Sequence, residues 1–184
     1  GYNLIMQDFP RVAVVEQTFS RPQISSIGEG IRKPFASGMI PDSRVAGKRI
    51  CVAVGSRGIT DIAKIVKTVI ACLKERGAEP FMIPAMGSHG GATEEGQRIL
   101  LADYGVTPEA MGIPLDTNLE TVNLGQTAEG FPVFTSKSAH ESDGVILINR
   151  VKPHTDFRGD LESGLMKMIA IGLGKIDGAN AVHG

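Results

Sequence analysis

Two histidines in this chain stand in loops whose residue types suit proton transfer. His89 lies between Gly87-Ser88 and Gly90-Gly91. Glycines let backbone amides approach a ligand closely, and the N-terminus of a helix expected from about Thr93 favours an anion. The functional reading is an acid/base histidine beside an anionic substrate. The alternative is a tight strand-to-helix turn carrying an exposed histidine. His154 closes the run Asn149-Arg150-Val151-Lys152-Pro153-His154. Arg150, Lys152 and Arg158 surround it with positive charge, which favours a neutral, proton-accepting imidazole and attracts a carboxylate. The alternative here is an ordinary basic loop.

Other candidates carry less local signal. Lys167 lies in Leu161-Glu162-Ser163-Gly164-Leu165-Met166-Lys167-Met168. Helical periodicity puts Leu161, Leu165 and Met168 on one face and Lys167 opposite, which reads as a solvated lysine. His183 has no local partner, and His140, beside Glu141 and Ser142, reads as surface. The histidines do not form a closely spaced metal motif. A metal would need a site assembled from distant loops, or one carried by an organic cofactor. Gly172-Leu173-Gly174, then Gly178, has the look of a dinucleotide-binding turn, a weak pattern without a complete strand-helix-strand unit.

The elements that position these residues read as an α/β domain. Strands are expected at Arg11-Val12-Ala13-Val14-Val15, residues 49–54, residues 80–84, Pro132-Val133-Phe134 and residues 144–148. The run over residues 49–54 is almost continuously apolar, as in a strand covered on both faces. The clearest helix follows it, with Ile62, Ile65, Val66, Val69, Ile70 and Leu73 on one face, Thr60 as N-cap and Gly77 just past the end. Residues 24–35 contain enough Gly and Pro to weaken a helical reading there, and a further helix runs from near Thr93 to Tyr104-Gly105. Alternation of strand and helix predicts a three-layer Rossmann-like domain with a mostly parallel sheet, Val52 and Ile146 lying in central strands. Such sheets bind ligands beyond the carboxyl ends of their strands. Residues 55–58, 87–91 and 149–154 all fall there.

Composition narrows the class. Of 184 residues, 42% are hydrophobic and 21% charged, enough to bury an ordinary core. The net charge of −1, with no basic block, disfavours nucleic-acid binding. Cys51 and Cys72 both fall in apolar or helical patterns and read as buried thiols of a reducing compartment. With no apolar run of membrane-spanning length and no signal segment, the protein is expected to be cytoplasmic, off the membrane. The start at Gly1 and the end at Gly184 suggest a fragment.

Gly87-Ser88-His89, then Pro153-His154, then a Gly-rich stretch holding Lys167, then His183, resembles the nickel-dependent lactate racemase family. It is more similar still to that family's uncharacterised bacterial homologues, in which a run like Asn149-Arg150-Val151-Lys152-Pro153-His154-Thr155-Asp156-Phe157 recurs. The resemblance implies that residues 1–184 are the amino-terminal domain, the carboxyl-terminal domain being absent. It implies a nickel-pincer nucleotide cofactor, a pyridinium mononucleotide whose ring carbon and two sulfurs hold nickel. Lys167 would be joined covalently to it, His183 would ligate nickel, and Arg57 would contact its phosphate. His89 and His154 would be the acid/base pair on opposite faces of the substrate carbon. A hydrogen on the α-carbon of a hydroxy acid is too weakly acidic for imidazole to remove. A base takes the hydroxyl proton instead while hydride leaves to the cofactor, and return on the other face inverts the centre.

The chain departs from the family in places. The first loop usually reads Asp-x-Thr-Arg-Pro, whereas Val54-Gly55-Ser56-Arg57-Gly58 keeps only the arginine. The interval between His154 and Lys167 is slightly longer than in true lactate racemases, and Thr155-Asp156 replaces apolar or aromatic neighbours. The implied activity is racemisation or epimerisation of a small 2-hydroxy acid, polar or larger than lactate, with a homo-oligomer compatible. The alternatives are a non-catalytic ligand-binding α/β domain and a nicotinamide-dependent dehydrogenase using the glycines near Gly172.

Overall fold

The computed structural model describes residues 12–20, 22–56, 58–154 and 158–183, the His183 side chain excepted. In chain order its helices and strands are α1 (Ile27–Ala36), β1 (Arg49–Val54), α2 (Ile62–Lys74), β2 (Glu79–Pro84), α3 (Glu94–Asp103), α4 (Pro108–Met111), β3 (Thr121–Gln126), β4 (Pro132–Ser136), α5 (Lys137–His140), β5 (Gly144–Ile148), α6 (Leu165–Lys167) and α7 (Lys175–His183). A π-helical segment, Met168–Gly172, lies between α6 and α7. The fold is mixed α/β with a parallel main sheet.

That sheet has the order β2-β1-β5. Val52 pairs with Met82 on one side and Ile146 on the other. β1 is therefore central, as expected, while Ile146 lies on an edge strand of the described sheet. Alternate β1 residues serve two cores. Ile50, Val52 and Val54 pack with α2, with Phe35 of α1 and with Leu101 of α3. Cys51 and Ala53 face Phe81, Ile83, Ala139, Met168 and Leu173. Helical elements on both faces make three layers, and they explain why β1 reads as an unbroken apolar run. Each valine fully buried there contributes about 1.5–3 kcal/mol.

The helix ends follow local chemistry. Ser26 Oγ caps α1 by accepting from Glu29 N at 3.2 Å. Thr93 Oγ1 caps α3 by accepting from Gly96 N at 3.0 Å, with Glu94 and Glu95 in the first turn. Past α2, Gly77 N donates to Lys74 O and Ala78 N to Leu73 O, with Gly77 at φ 74°, a Schellman closure. The N-terminus of α2 differs from expectation. The residue preceding the helix is Asp61, held at φ 54°, and it makes no side-chain cap.

Two expected strands do not join the parallel sheet. No strand forms over residues 12–20, and Val12 and Val14 are 93% and 104% exposed. A β-branched run has strand propensity, but a strand needs a partner ladder, and the outer side of β2 is occupied where Met82 N donates to Pro114 O and Asp116 N to Met82 O. β4 exists but pairs antiparallel with β3 in a separate two-stranded sheet. A short turn closed by Thr127 N donating to Phe131 O joins the two. That connection is too short for the crossover a parallel pair requires.

Candidate functional site

All three strand-end loops singled out by the sequence converge on one cavity of about 510 Å³. Ser56 and Gly58 line it from the loop after β1, Met86 and His89 from the loop after β2, and Asn149, Arg150 and Lys152 from the loop after β5. Ser163, Lys167, Met168 and Ile171 supply a fourth wall. The cause is the parallel sheet itself, which sends every strand's carboxyl end to the same edge.

Hydrogen bonds tie these walls together. Arg150 Nη1 donates to Gly58 O at 3.3 Å, joining the third loop to the first. Asn149 Nδ2 donates to Gly164 O at 2.8 Å, joining it to the segment before α6. Gln97, fully buried on α3, donates through Nε2 to Gly87 O at 2.9 Å and to His89 O at 3.3 Å. Gly87 itself sits at φ +58°, and a Cβ there would stand 2.9 Å from Ile171 Cγ2. Only glycine lets the His89 loop lie this close to the π-helical segment. His89 is half-buried, and its Nδ1 lies 2.9 Å from Ser56 Oγ.

The wall is cationic. Arg150, Lys152 and Lys167 line it, and among the described residues no Asp or Glu does. Such a lining suits an anionic ligand and helps to retain it. Lys167 is exposed, as its periodicity implied, but its surroundings differ from that reading. α6 begins only at Leu165, Leu161 and Leu165 are 67% and 45% exposed, and the lysine stands on the cavity wall. The π-helical insertion that follows shifts the register of side chains beyond it, a feature common near functional sites.

The remaining candidates are placed less closely. His154 is half-buried in the loop after β5 but is not among the residues lining the cavity. Its N–H donates to Glu162 Oε2 at 2.9 Å, and its carbonyl accepts from Arg158 Nη1 at 2.9 Å. Arg57 and the His183 side chain lie outside the described residues, although His183 ends α7. His140 is exposed on α5. No group of three or more His, Cys, Asp or Glu suited to a metal gathers among the described residues, and no described helix is long and apolar enough to cross a membrane. The glycines at 172 and 174 do not form a dinucleotide turn, because Met168–Gly172, which ends on the first of them, is π-helical rather than a strand.

One residue escaped sequence reasoning altogether. Lys175, at the start of α7, is 1% exposed, and its Nζ donates to Pro84 O at 2.6 Å. Burial pulls its pKa down to about 8, against Asp116, Cys51 and Glu94, which act to raise it. Its backbone is left-handed, with φ 54°. The bond fastens the end of β2, just ahead of Ala85 and Met86 in the cavity, to the helix bearing His183. A lysine just after a glycine ordinarily reads as exposed, so the pattern offered no signal. The two cysteines are free and buried, as expected, and burial pushes the Cys51 thiol up to about 12.

Fold and site together define a parallel α/β domain with a cation-lined cleft at the carboxyl edge of its sheet. A family model described as the lactate racemase N-terminal domain matches residues 6–184, and the chain belongs to that family. A search of curated proteins gives no significant match.

Proposed function

We propose that this chain supplies part of the active site of a racemase or epimerase of 2-hydroxy acids that works with a nickel-pincer nucleotide. The observation that carries the reading is the convergence of three strand-end loops on one cavity holding His89 and Lys167, in a chain of this family. The lining fits such a group: an exposed lysine amine for a covalent tether, cations for a phosphate, and no opposing carboxylate among the described residues. Lys167 would carry the tether, Arg57 would meet the phosphate and His183 would ligate nickel. When bound, the group supplies an electron-poor acceptor for the hydrogen on the substrate's α-carbon.

The chain's own residues do the rest. Arg150 and Lys152 hold the substrate carboxylate. His89, on the cavity wall, takes the hydroxyl proton of one enantiomer; His154, which stands off that wall, would have to enter the site to take that of the other, each imidazole then being base in one direction and acid in the reverse. Met86, Met168 and Ile171 keep part of the wall dry, which strengthens the polar contacts. A second, carboxyl-terminal domain would close the site.

The test uses full-length protein made together with the cofactor-maturation enzymes. Intact mass should show an adduct that Lys167→Ala removes, and the wild type should interconvert the enantiomers of a 2-hydroxy acid. An adduct persisting in Lys167→Ala would overturn the lysine assignment. A wild type with neither adduct nor nickel would favour a ligand-binding domain instead.

A further inference from the structure

We infer that Gln97 is a positioning residue, which sets the His89 loop against the segment that follows Lys167. Gln97 and Leu101 are the buried residues of α3, four positions apart, so position 97 belongs to the inward face of the helix. A fully buried amide is costly there unless it is hydrogen-bonded, and its Oε1 accepts nothing among the described residues. Nε2 makes the bonds instead. It donates to Gly87 O at 2.9 Å and to His89 O at 3.3 Å. Both partners are carbonyl oxygens, so only the amide's NH2 end can face them. Of the side chains neutral at physiological pH, only Asn and Gln carry two hydrogens on one nitrogen.

The loop is also held from its other side. Gly87 N donates to Gly172 O at 3.4 Å, and Gly172 ends the π-helical segment that follows Lys167. Towards α3, Gly90 sits at φ +66°, and a Cβ there would stand 2.6 Å from Gly96 C. Backbone therefore lies on backbone, which is what brings Gln97 within reach of the loop. Its two bonds fix the carbonyl of His89 and that of Gly87, and so the direction in which the imidazole leaves the chain. This anchoring is independent of what the imidazole itself touches. Misplacing a reacting group by about 1 Å can cost about 10²-fold in rate. The loss would fall on proton transfer rather than on substrate capture, which belongs to Arg150 and Lys152. The catalytic meaning rests on the racemase reading, whereas the anchoring of the loop does not.

The test is hydrogen–deuterium exchange on full-length protein, comparing Gln97→Met and Gln97→Glu with the wild type. Methionine keeps the length and donates no hydrogen; glutamate keeps the shape and, once ionised, donates none. In both variants amides over residues 86–92 should exchange about tenfold faster or more, the worth of one or two hydrogen bonds. Those of β1 should stay as protected as in the wild type. In the loaded enzyme kcat should fall about 10–100-fold, with KM little changed and the Lys167 adduct intact. Either variant alone suffices, so the failure of one to fold leaves the test standing. Unchanged exchange over residues 86–92 would overturn the proposal, and so would an equal loss of protection in β1, which would make Gln97 a general support of the fold. Local loosening with kcat unchanged in an active enzyme would overturn it as well. Local loosening in a protein whose wild type racemises nothing would sustain the anchoring and sink the racemase reading.

Discussion

Lys175 Nζ donates to Pro84 O at 2.6 Å from a side chain 1% exposed to solvent, joining the start of α7 to the end of β2. Its pKa falls from 10.5 to about 8 on folding. Between those values the unfolded chain binds a proton that the folded one does not, so this residue makes stability rise with pH across that window. The full effect is about 3 kcal/mol. Cys51 works the other way, since its pKa rises from 9.0 to about 12 and its contribution falls with pH over that range. Comparing wild type with Lys175→Met isolates the lysine. Urea unfolding from pH 7.5 to 10.5 should show the wild type gaining on the variant as pH rises, and a constant difference would refute the buried ammonium.

Gly87→Ala tests how tightly the His89 loop is packed. The position has φ +58°, and an added Cβ meets Ile171 Cγ2 at 2.9 Å and Ile171 O at 3.3 Å. Strain and overpacking together should cost about 1–3 kcal/mol. Thermal denaturation reads the loss, and an unchanged midpoint would show that loop and π-helical segment are not in contact as described.

Removing the two histidines should separate chemistry from capture. His89→Ala or His154→Ala should each lower kcat by about 10²–10⁴-fold while leaving the Lys167 adduct and the nickel in place. His183→Ala should do the reverse for the metal, weakening nickel retention while the adduct stays. Metal analysis and intact mass on the same preparations distinguish these outcomes. Nickel lost from His89→Ala would assign that residue to the metal rather than the proton.

The cationic wall should bind anions before any chemistry. Arg150→Gln combined with Lys152→Gln should weaken binding of a 2-hydroxy acid about tenfold or more, since charge-assisted hydrogen bonds are worth about 1.5–3 kcal/mol each. Wild-type affinity should also fall as salt rises, because Arg150 is exposed and screening acts over about 8 Å at physiological ionic strength. Calorimetry at two salt concentrations checks both, and a salt-independent affinity equal in variant and wild type would place the anion elsewhere.

Much of the frame is legible in local residue patterns because local physics decides it. The apolar run at β1, the amphipathic face of α2, a helix start near Thr93 and Gly77 as a stop are each short-range effects, and the structure has them. Thr60 did not become a cap, because the helix enters through Asp61 in a left-handed conformation. The valines at 12, 14 and 15 have the propensity of a strand, but pairing is a property of the whole sheet. β4 likewise reads as a strand from its residues, while its antiparallel partner and separate sheet depend on the turn before it.

The sequence by itself determined the alternation of strand and helix, and with it the three polar loops at one sheet edge carrying His89 and the cations near His154. Parallel pairing sends strand ends to a common edge whatever the loops contain. Tertiary structure alone decided which side chains meet. It set Ser56 against His89, brought Lys167 to the cavity wall through a helix that starts only at Leu165, and buried Lys175 under Pro84. Those contacts link residues distant in sequence across packed layers, so they depend on the register between layers, which no local pattern encodes.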